Sequence, residues 1–132
     1  MMRLLLDTHI WLWSFREPHK LSSEVHQAIE DPRNSRFLSP ISIWEAILLL
    51  EKKKILITED FGQFFEQTRS DLDLQEAPLD WKVVHEMRSM MLGYKDPADR
   101  FLAATARAHD MTLVSADQRL LRIPGLKTLA NI

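Results

Sequence analysis

The sequence predicts an α/β sandwich around a mostly parallel central sheet flanked by helices, on three observations. Short apolar runs that read as strands alternate with segments of helical pattern, signals for tight hairpins are few, and nothing with the composition of a linker interrupts the 132 residues. Alternation of this kind goes with strand-crossover-strand units. The length suits a single domain over residues 1 to 132, able to bury most of the apolar surface its unfolded form exposes.

Taken in order, "RLLL" (residues 3 to 6) is a short apolar run ending in Asp7, which suits a buried strand, and "THIWLWSF" follows as an immediate helix. A second helix is expected over 22 to 30, with Ser22 as cap, Val25 and Ile29 on one face, and Asp31-Pro32 as the stop. "SRFLS" reads as a strand before Pro40. From Ile41 to about Lys53 the residues have helical length and type, with basic residues near the C-terminal end that suit the helix dipole. Phe61, Phe64, Phe65 and Thr68 give a helical stripe over roughly 60 to 71, and "LQEAPL" follows as a connection. Asp80 caps a helix through "WKVVHEMRSMM" that stops near Gly93. Asp96 starts the next helix, "MTLVS" (111 to 115) is the clearest strand, and "LKTLANI" can supply one more.

Composition excludes several classes. Hydrophobic residues at 45% and charged residues at 27% are ordinary for a soluble fold, so a disordered chain is not expected. The absence of cysteine removes disulfides, thiol nucleophiles and cysteine-ligated metals, and fits a reducing, cytoplasmic setting. The opening "MMRLLLDTHIWLW" has its apolar run broken by Asp7 and no small-residue cleavage site, so it reads as a strand and not as a signal peptide. No segment is long enough to span a bilayer, so no membrane partner is expected. The net charge of -2 is unlike that of strongly basic nucleic-acid binders, yet converging acids with bound cations would reverse the local sign.

Four acids stand out. Asp7 lies at the carboxyl end of the first strand, where a turn or cap role and a functional role are equally open. Glu45 is the only charged residue from Ser39 to Leu50 and shares a helical face with Ile41, Leu48 and Leu49. A carboxylate there is costly unless paired, or else it lies at the solvent edge of a wide apolar stripe. In "DPADR", Asp96 fits the N-cap, Pro97 the first helical position and Asp99 the first turn. Asp99 aligns with Leu102, Ala103 and Ala106, an inward face, while Arg100 and Arg107 mark a solvated one. Capping is therefore assigned to Asp96, with an auxiliary role open, and site chemistry to Asp99. Asp117 follows the strand "MTLVS" and also suits a cap for "QRLL". In an open parallel sheet, strand ends and helix starts can bring all four into one crevice.

Crowded carboxylates resist ionisation unless a cation neutralises them, and hard oxygen donors favour Mg2+ or Mn2+. Such ions activate water and stabilise the leaving oxygen in phosphate-ester hydrolysis. With 3 glycines, neither a phosphate loop nor a dinucleotide fingerprint can be written, and no serine-hydrolase elbow occurs. His9, His19, His26, His85 and His109 lack zinc spacing, although His9 stands two positions after Asp7. Lys95, Arg100 and Arg119 can reach a nucleic-acid backbone; "EKKK" (51 to 54) reads first as a solvated helix end. Trp11, Trp13, Trp44 and Trp81 read as core or subunit-interface residues before stacking platforms.

Together, "LLLDTHIWLW", "SPISIWEAILLL" and "DPADRFLAATARAHDMTLVSAD" resemble the PIN-domain nucleases, in particular the VapC-like toxin branch, over nearly the whole chain and in the family's motif order. Each motif is weak alone; order and spacing make the set specific. The resemblance implies a three-layer α/β/α fold, a Mg2+- or Mn2+-dependent endoribonuclease acting on RNA, a homodimer, and an antitoxin whose tail enters the active-site groove. By motif the four acids fall on Asp7, Glu45, Asp99 and Asp117, with hydroxyls at Thr8 and Ser115; Asp96 is the competitor for the third position, set aside on the inward face of Asp99. Two rivals stay open. A non-catalytic RNA-binding or regulatory module would bind RNA but not manganese, and a small-molecule phosphohydrolase would turn over generic phosphate esters.

Overall fold

The computed structural model describes residues 1–90 and 96–132. β1 (Arg3–Leu6) leads directly into α1 (Thr8–Arg16), a single 3-10 turn at Pro18–Lys20, and α2 (Ser23–Glu30). β2 (Ser35–Leu38) is followed by α3 (Pro40–Glu51) and α4 (Phe61–Asp71), then β3 (Leu74–Glu76), α5 (Trp81–Met87) and α6 (Pro97–Ala108). β4 (Thr112–Ser115), α7 (Gln118–Leu121) and β5 (Thr128–Ala130) complete the chain. The strands form one sheet in the order β3-β2-β1-β4-β5, and every pairing is parallel.

Both faces of this sheet are covered, which is why its central strands are continuous apolar runs. Leu4, Leu6, Leu38 and Val114 pack on one face with Ile10, Trp11 and Leu12 of α1, Val25 and Ile29 of α2, Ala46 of α3 and Phe64 of α4. Leu5, Phe37 and Leu113, which share a row of the register, point to the other face against Leu102, Ala103 and Ala106 of α6. Each fully buried leucine contributes about 1.5–3 kcal/mol, so the two faces of three-residue "LLL" alone secure the centre of the sheet. Small residues on α6 let that helix lie close to the sheet, and α5 packs on its outer side through Val83, Ala104 and Ala108. The result is three layers, α/β/α.

The sequence locates most elements through their caps. Ser22, Ser39, Asp60, Asp80, Asp96 and Asp117 each accept a hydrogen bond from a backbone N–H of the first turn that follows. Three helices end differently from the usual glycine stop. Lys53, Asp73 and Asp110, with φ of 56°, 50° and 54°, take the left-handed position just after α3, α4 and α6.

Four expectations are corrected. β3 is a strand where a connection was expected: of its residues only Leu74 is buried, while Gln75 and Glu76 are exposed on the sheet edge, so no apolar run announces it. α3 stops at Glu51 with no basic residue in its last turn; Lys52 caps it, and Lys53 turns the chain away. The helix begun at Trp81 ends at Met87 and gives way to turns through Met90; the expected stop near Gly93 lies outside the described residues. Arg100 and Arg107 are half-buried and not solvated, because α5 runs along that side of α6 and Glu86 meets Arg107 at 3.0 Å. No helix among the described residues is long and apolar enough to cross a membrane.

Candidate active site

The strand order places the reversal of chain direction across the sheet between β1 and β4: β2 and β3 build out on one side of β1, β4 and β5 on the other. Such a switch point opens a crevice at the carboxyl ends of the two strands. Asp7 follows β1 there. Its backbone N–H donates to the Val114 carbonyl at 3.0 Å, so the pairing of β1 with β4 continues up to the acid and fixes its height. Its Oδ1 accepts from the Thr8 amide at 2.8 Å and its Oδ2 accepts from the Ser115 hydroxyl at 2.7 Å. Only 8% of Asp7 is exposed. Burial pushes its carboxyl above the ordinary aspartate range, although the Ser115 and Thr8 hydrogen bonds pull the other way.

Glu45 comes from α3, over the start of α1. The Thr8 hydroxyl donates to its Oε1 at 2.5 Å and lies 2.9 Å from the Ser42 hydroxyl. A threonine has one hydroxyl proton, so when Glu45 takes it the Ser42 hydroxyl must donate to Thr8. Glu45 is half-buried and its carboxyl is raised by burial, with the charges of Asp7 and Asp96 adding to the effect. The face reading of α3 needs amendment. Ser42 and Ala46 are its buried residues, Ile41, Leu48 and Leu49 are only half-buried, and Trp44 and Ile47 are 52% and 40% exposed. Glu45 thus borders a hydroxyl-lined seam on one side and a groove with Leu48 and Leu49 on the other.

Asp99 and Asp96 sit at the start of α6. Asp96 Oδ1 accepts from the amides of Ala98 at 3.0 Å and Asp99 at 3.3 Å, the capping role that the sequence assigns it. Asp99 is inward and 8% exposed, on the face of Leu102, Ala103 and Ala106. Its carboxyl is pushed up to about 7 by burial and by the negative charges of Asp96, Asp7, Asp117 and Glu45. All five acids therefore act on one another in a single field.

Asp117 both caps and belongs to this field. Its Oδ1 accepts from the Arg119 amide at 2.9 Å, its own N–H donates to the Ser115 hydroxyl at 2.9 Å, and the Arg119 guanidinium lies 3.2 Å from Oδ2. Burial alone would raise its carboxyl, but the Arg119 contacts outweigh that and hold it low. The same guanidinium approaches Asp99 Oδ2 at 4.0 Å.

The structure therefore brings Asp7, Glu45, Asp96, Asp99 and Asp117 to one edge, together with Thr8 and Ser115. Arg119 is there too; Arg100 lies in the seam with α5, and Lys95 is outside the described residues. Ser42 is a site residue that the sequence reading misses, although it stands three positions before Glu45 and hence on its face. His9 is exposed, with its ring 5.7 Å from that of Trp13, and its charge pulls the Asp7 and Glu45 carboxyls down slightly. Trp11 is core, Trp13 half-buried, and Trp81 is 88% exposed.

The donor set is all hard oxygen, and three of its carboxyls are raised, so its chemistry fits a divalent cation such as Mg2+ or Mn2+. Among the described residues no three His, Cys, Asp or Glu side chains close on a single point.

Comparison with known proteins bears directly on this edge. The PIN domain model matches residues 4–126. Ribonuclease VapC22 of Mycobacterium tuberculosis (strain ATCC 25618 / H37Rv) is 31% identical over 121 residues, covering 91% of each chain. Two solved structures share the fold across nearly everything: DNA-bound VapBC from Salmonella typhimurium (TM-score 0.70, 18% identity, 100% of both chains) and VapBC2 from Rickettsia felis bound to a promoter DNA fragment (TM-score 0.67, 19% identity, 98% of both chains). With the motif acids gathered at the switch point, the family match over most of the chain and the VapC22 likeness leave one conclusion: this chain belongs to the PIN-domain family, in its VapC-like branch.

Proposed function

We propose that this protein is a divalent-metal-dependent endoribonuclease that hydrolyses RNA phosphodiester bonds, and that it is the toxin of a toxin-antitoxin pair. The observation that carries the proposal is Asp99: a carboxyl 8% exposed, raised to about 7 by burial and four neighbouring acids, at the edge where Asp7 is also buried and raised. Asp7, Glu45, Asp99 and Asp117 would hold Mg2+ or Mn2+, directly or through water. The ion supplies Lewis acidity and a water made nucleophilic at neutral pH.

The residues then divide the work. Ser115 holds Asp7 in place from the β4 side, and Thr8 does the same for Glu45, so two hydroxyls fix the spacing of acids from three elements. Asp96, by capping α6, sets the first turn on which Asp99 stands. Arg119, between Asp117 and Asp99, is placed to meet a phosphate oxygen once the acids are neutralised. The toxin assignment draws support from VapC22, named a ribonuclease, and from the VapBC complexes among the structural relatives. An antitoxin, or a second copy in a homodimer, would cover Ile47, an apolar residue that α3 leaves exposed.

The test is RNA cleavage by purified protein with Mn2+ or Mg2+, with EDTA, and with Asp7→Asn. Activity that needs the metal, vanishes on chelation and falls at least 100-fold in Asp7→Asn is the expected outcome, on the order of about 3 kcal/mol of lost transition-state stabilisation. Cleavage by Asp7→Asn at the parent rate would refute the assignment.

A further inference from the structure

The acid edge opens at one side into a groove of about 260 Å3 where Glu45, Asp96, His9, Trp44, Lys52 and Lys54 stand around an apolar wall of Leu48, Leu49, Pro97 and Ala98. On the far side of His9 lies a second groove of about 330 Å3, whose lining includes His9 again, Trp13, Arg16, Lys54 and Ile55. His9 and Lys54 belong to both, so the two form one path from the acids over the exposed face of α1. Its charge changes sign along the way. After Glu45 and Asp96 the next charged side chains are Lys52 and Lys54, then Arg16; Glu17, the acid of the second groove, is paired with Lys20 at 3.1 Å. Arg16 also faces Glu59 at 3.3 Å. Lys52 and Lys54 are exposed and in no ion pair among the described residues. Lys52 caps α3, and the left-handed turn at Lys53 brings Lys54 back beside α1 instead of continuing α3 into solvent.

The geometry points to this path as the seat of the RNA strand flanking the cleaved bond: Lys52 and Lys54 take successive phosphates, and the His9 ring, backed by Trp13, takes the base between the two grooves. The inference rests on the ribonuclease reading, since a strand whose phosphate lies at the acids must leave along an edge, and this edge is cationic and aromatic. Single-stranded nucleic acid is bound elsewhere by this same pairing of a basic track with aromatic faces. A net charge of -2 is no obstacle, because the cations are local.

The experiment uses a fluorescein-labelled 12-nucleotide single-stranded RNA of mixed sequence, with Mg2+ present, in the Asp7→Asn background, so that binding is read without turnover. Anisotropy titrations at several salt concentrations give the slope of log K against log salt, which is about 0.7 for each phosphate engaged on a single strand. Lys52→Ala with Lys54→Ala should flatten the slope by about 1.4. The charge-matched pair Arg33→Ala and Lys127→Ala, on loops at the opposite end of the strands, should leave it unchanged. His9→Ala should weaken binding on the order of tenfold without changing the slope, and His9→Phe should restore it. An unchanged slope in the Lys52/Lys54 variant would overturn the path and leave the acid assignment standing. If that variant lost poly-glutamate binding instead of RNA binding, the groove would belong to an acidic protein partner and the proposal would fall. Cleavage of the probe in the Asp7→Asn background would overturn the catalytic role of Asp7, a failure distinct from that of the path.

Discussion

Asp99→Asn should make the metal-free protein more stable while abolishing its activity. The native carboxyl ionises near 7 and the unfolded one near 3.8. Between those values the native state keeps a proton that the unfolded chain has released, so this residue lowers stability as pH rises through the window and costs most above it. A gap of roughly three pH units at 1.36 kcal/mol each sets a ceiling of roughly 4 kcal/mol. With 11% of the side chain still reaching solvent, relaxation at the crevice mouth brings the expected gain nearer 2 kcal/mol. Asparagine keeps the shape and never ionises. Urea unfolding at half-unit steps from pH 4 to pH 8.5, in EDTA, should show the two proteins equal near pH 4 and the variant more stable by about 2 kcal/mol at pH 8. Saturating Mg2+ should then favour the parent, by about 2.7 kcal/mol at one hundred times its Kd, and favour the variant less. A variant that is less stable than the parent at pH 8, or a difference that does not change with pH, would refute the account of a charge held under strain.

Three further outcomes are expected. Ser115→Ala removes the hydroxyl that lowers the Asp7 carboxyl, so the acid limb of the cleavage pH profile should move to higher pH. Thr68→Val leaves the buried Trp11 indole N–H, which now donates to Thr68 Oγ1 at 3.1 Å, without an acceptor, and should cost about 1–2 kcal/mol by urea unfolding. Asp73→Gly relieves the left-handed backbone after α4, where φ is 50°, and should raise the melting temperature by roughly 2 °C, the sum of lost strain and glycine's greater unfolded freedom.

What the sequence makes legible is governed by burial on both sides. β1 and β4 lie in the middle of the sheet and read plainly as "LLL" and "LV" because both faces there are buried; Ser115, the buried polar residue that ends β4, is answered by Asp7 and Asp117. β3, on the edge with Leu74 alone inside, carries no such signal. Among site residues, Asp99 is legible because the helical period that buries Leu102 and Ala106 must bury it too. Glu45 is singled out for an incomplete reason: what answers its carboxylate is the Thr8 hydroxyl, with Ser42 behind it, a contact across 37 positions that one helix's pattern cannot reveal. The path across His9 is invisible for the same reason, since only the fold puts Lys54 beside α1.

Whether an acid such as Asp7, Asp96 or Asp117 is a cap or a ligand looks like a choice when the chain is read linearly, and the parallel sheet dissolves it. α1, α3 and α7 follow their strands directly and so begin at the carboxyl edge of the sheet, and α6, which follows α5, brings its first turn to the same edge. Asp7 caps α1, Asp96 caps α6, Asp117 caps α7 and Asp99 lies in the first turn of α6, so four of the five acids at the crevice also start helices. Capping is therefore how the carboxylates are brought together. It is not enough to neutralise them. A helix terminus offsets a negative charge by about 0.3–1 kcal/mol, less than the roughly 2 kcal/mol expected for the raised Asp99 carboxyl. A hard divalent cation is a partner whose charge and oxygen preference match such a group.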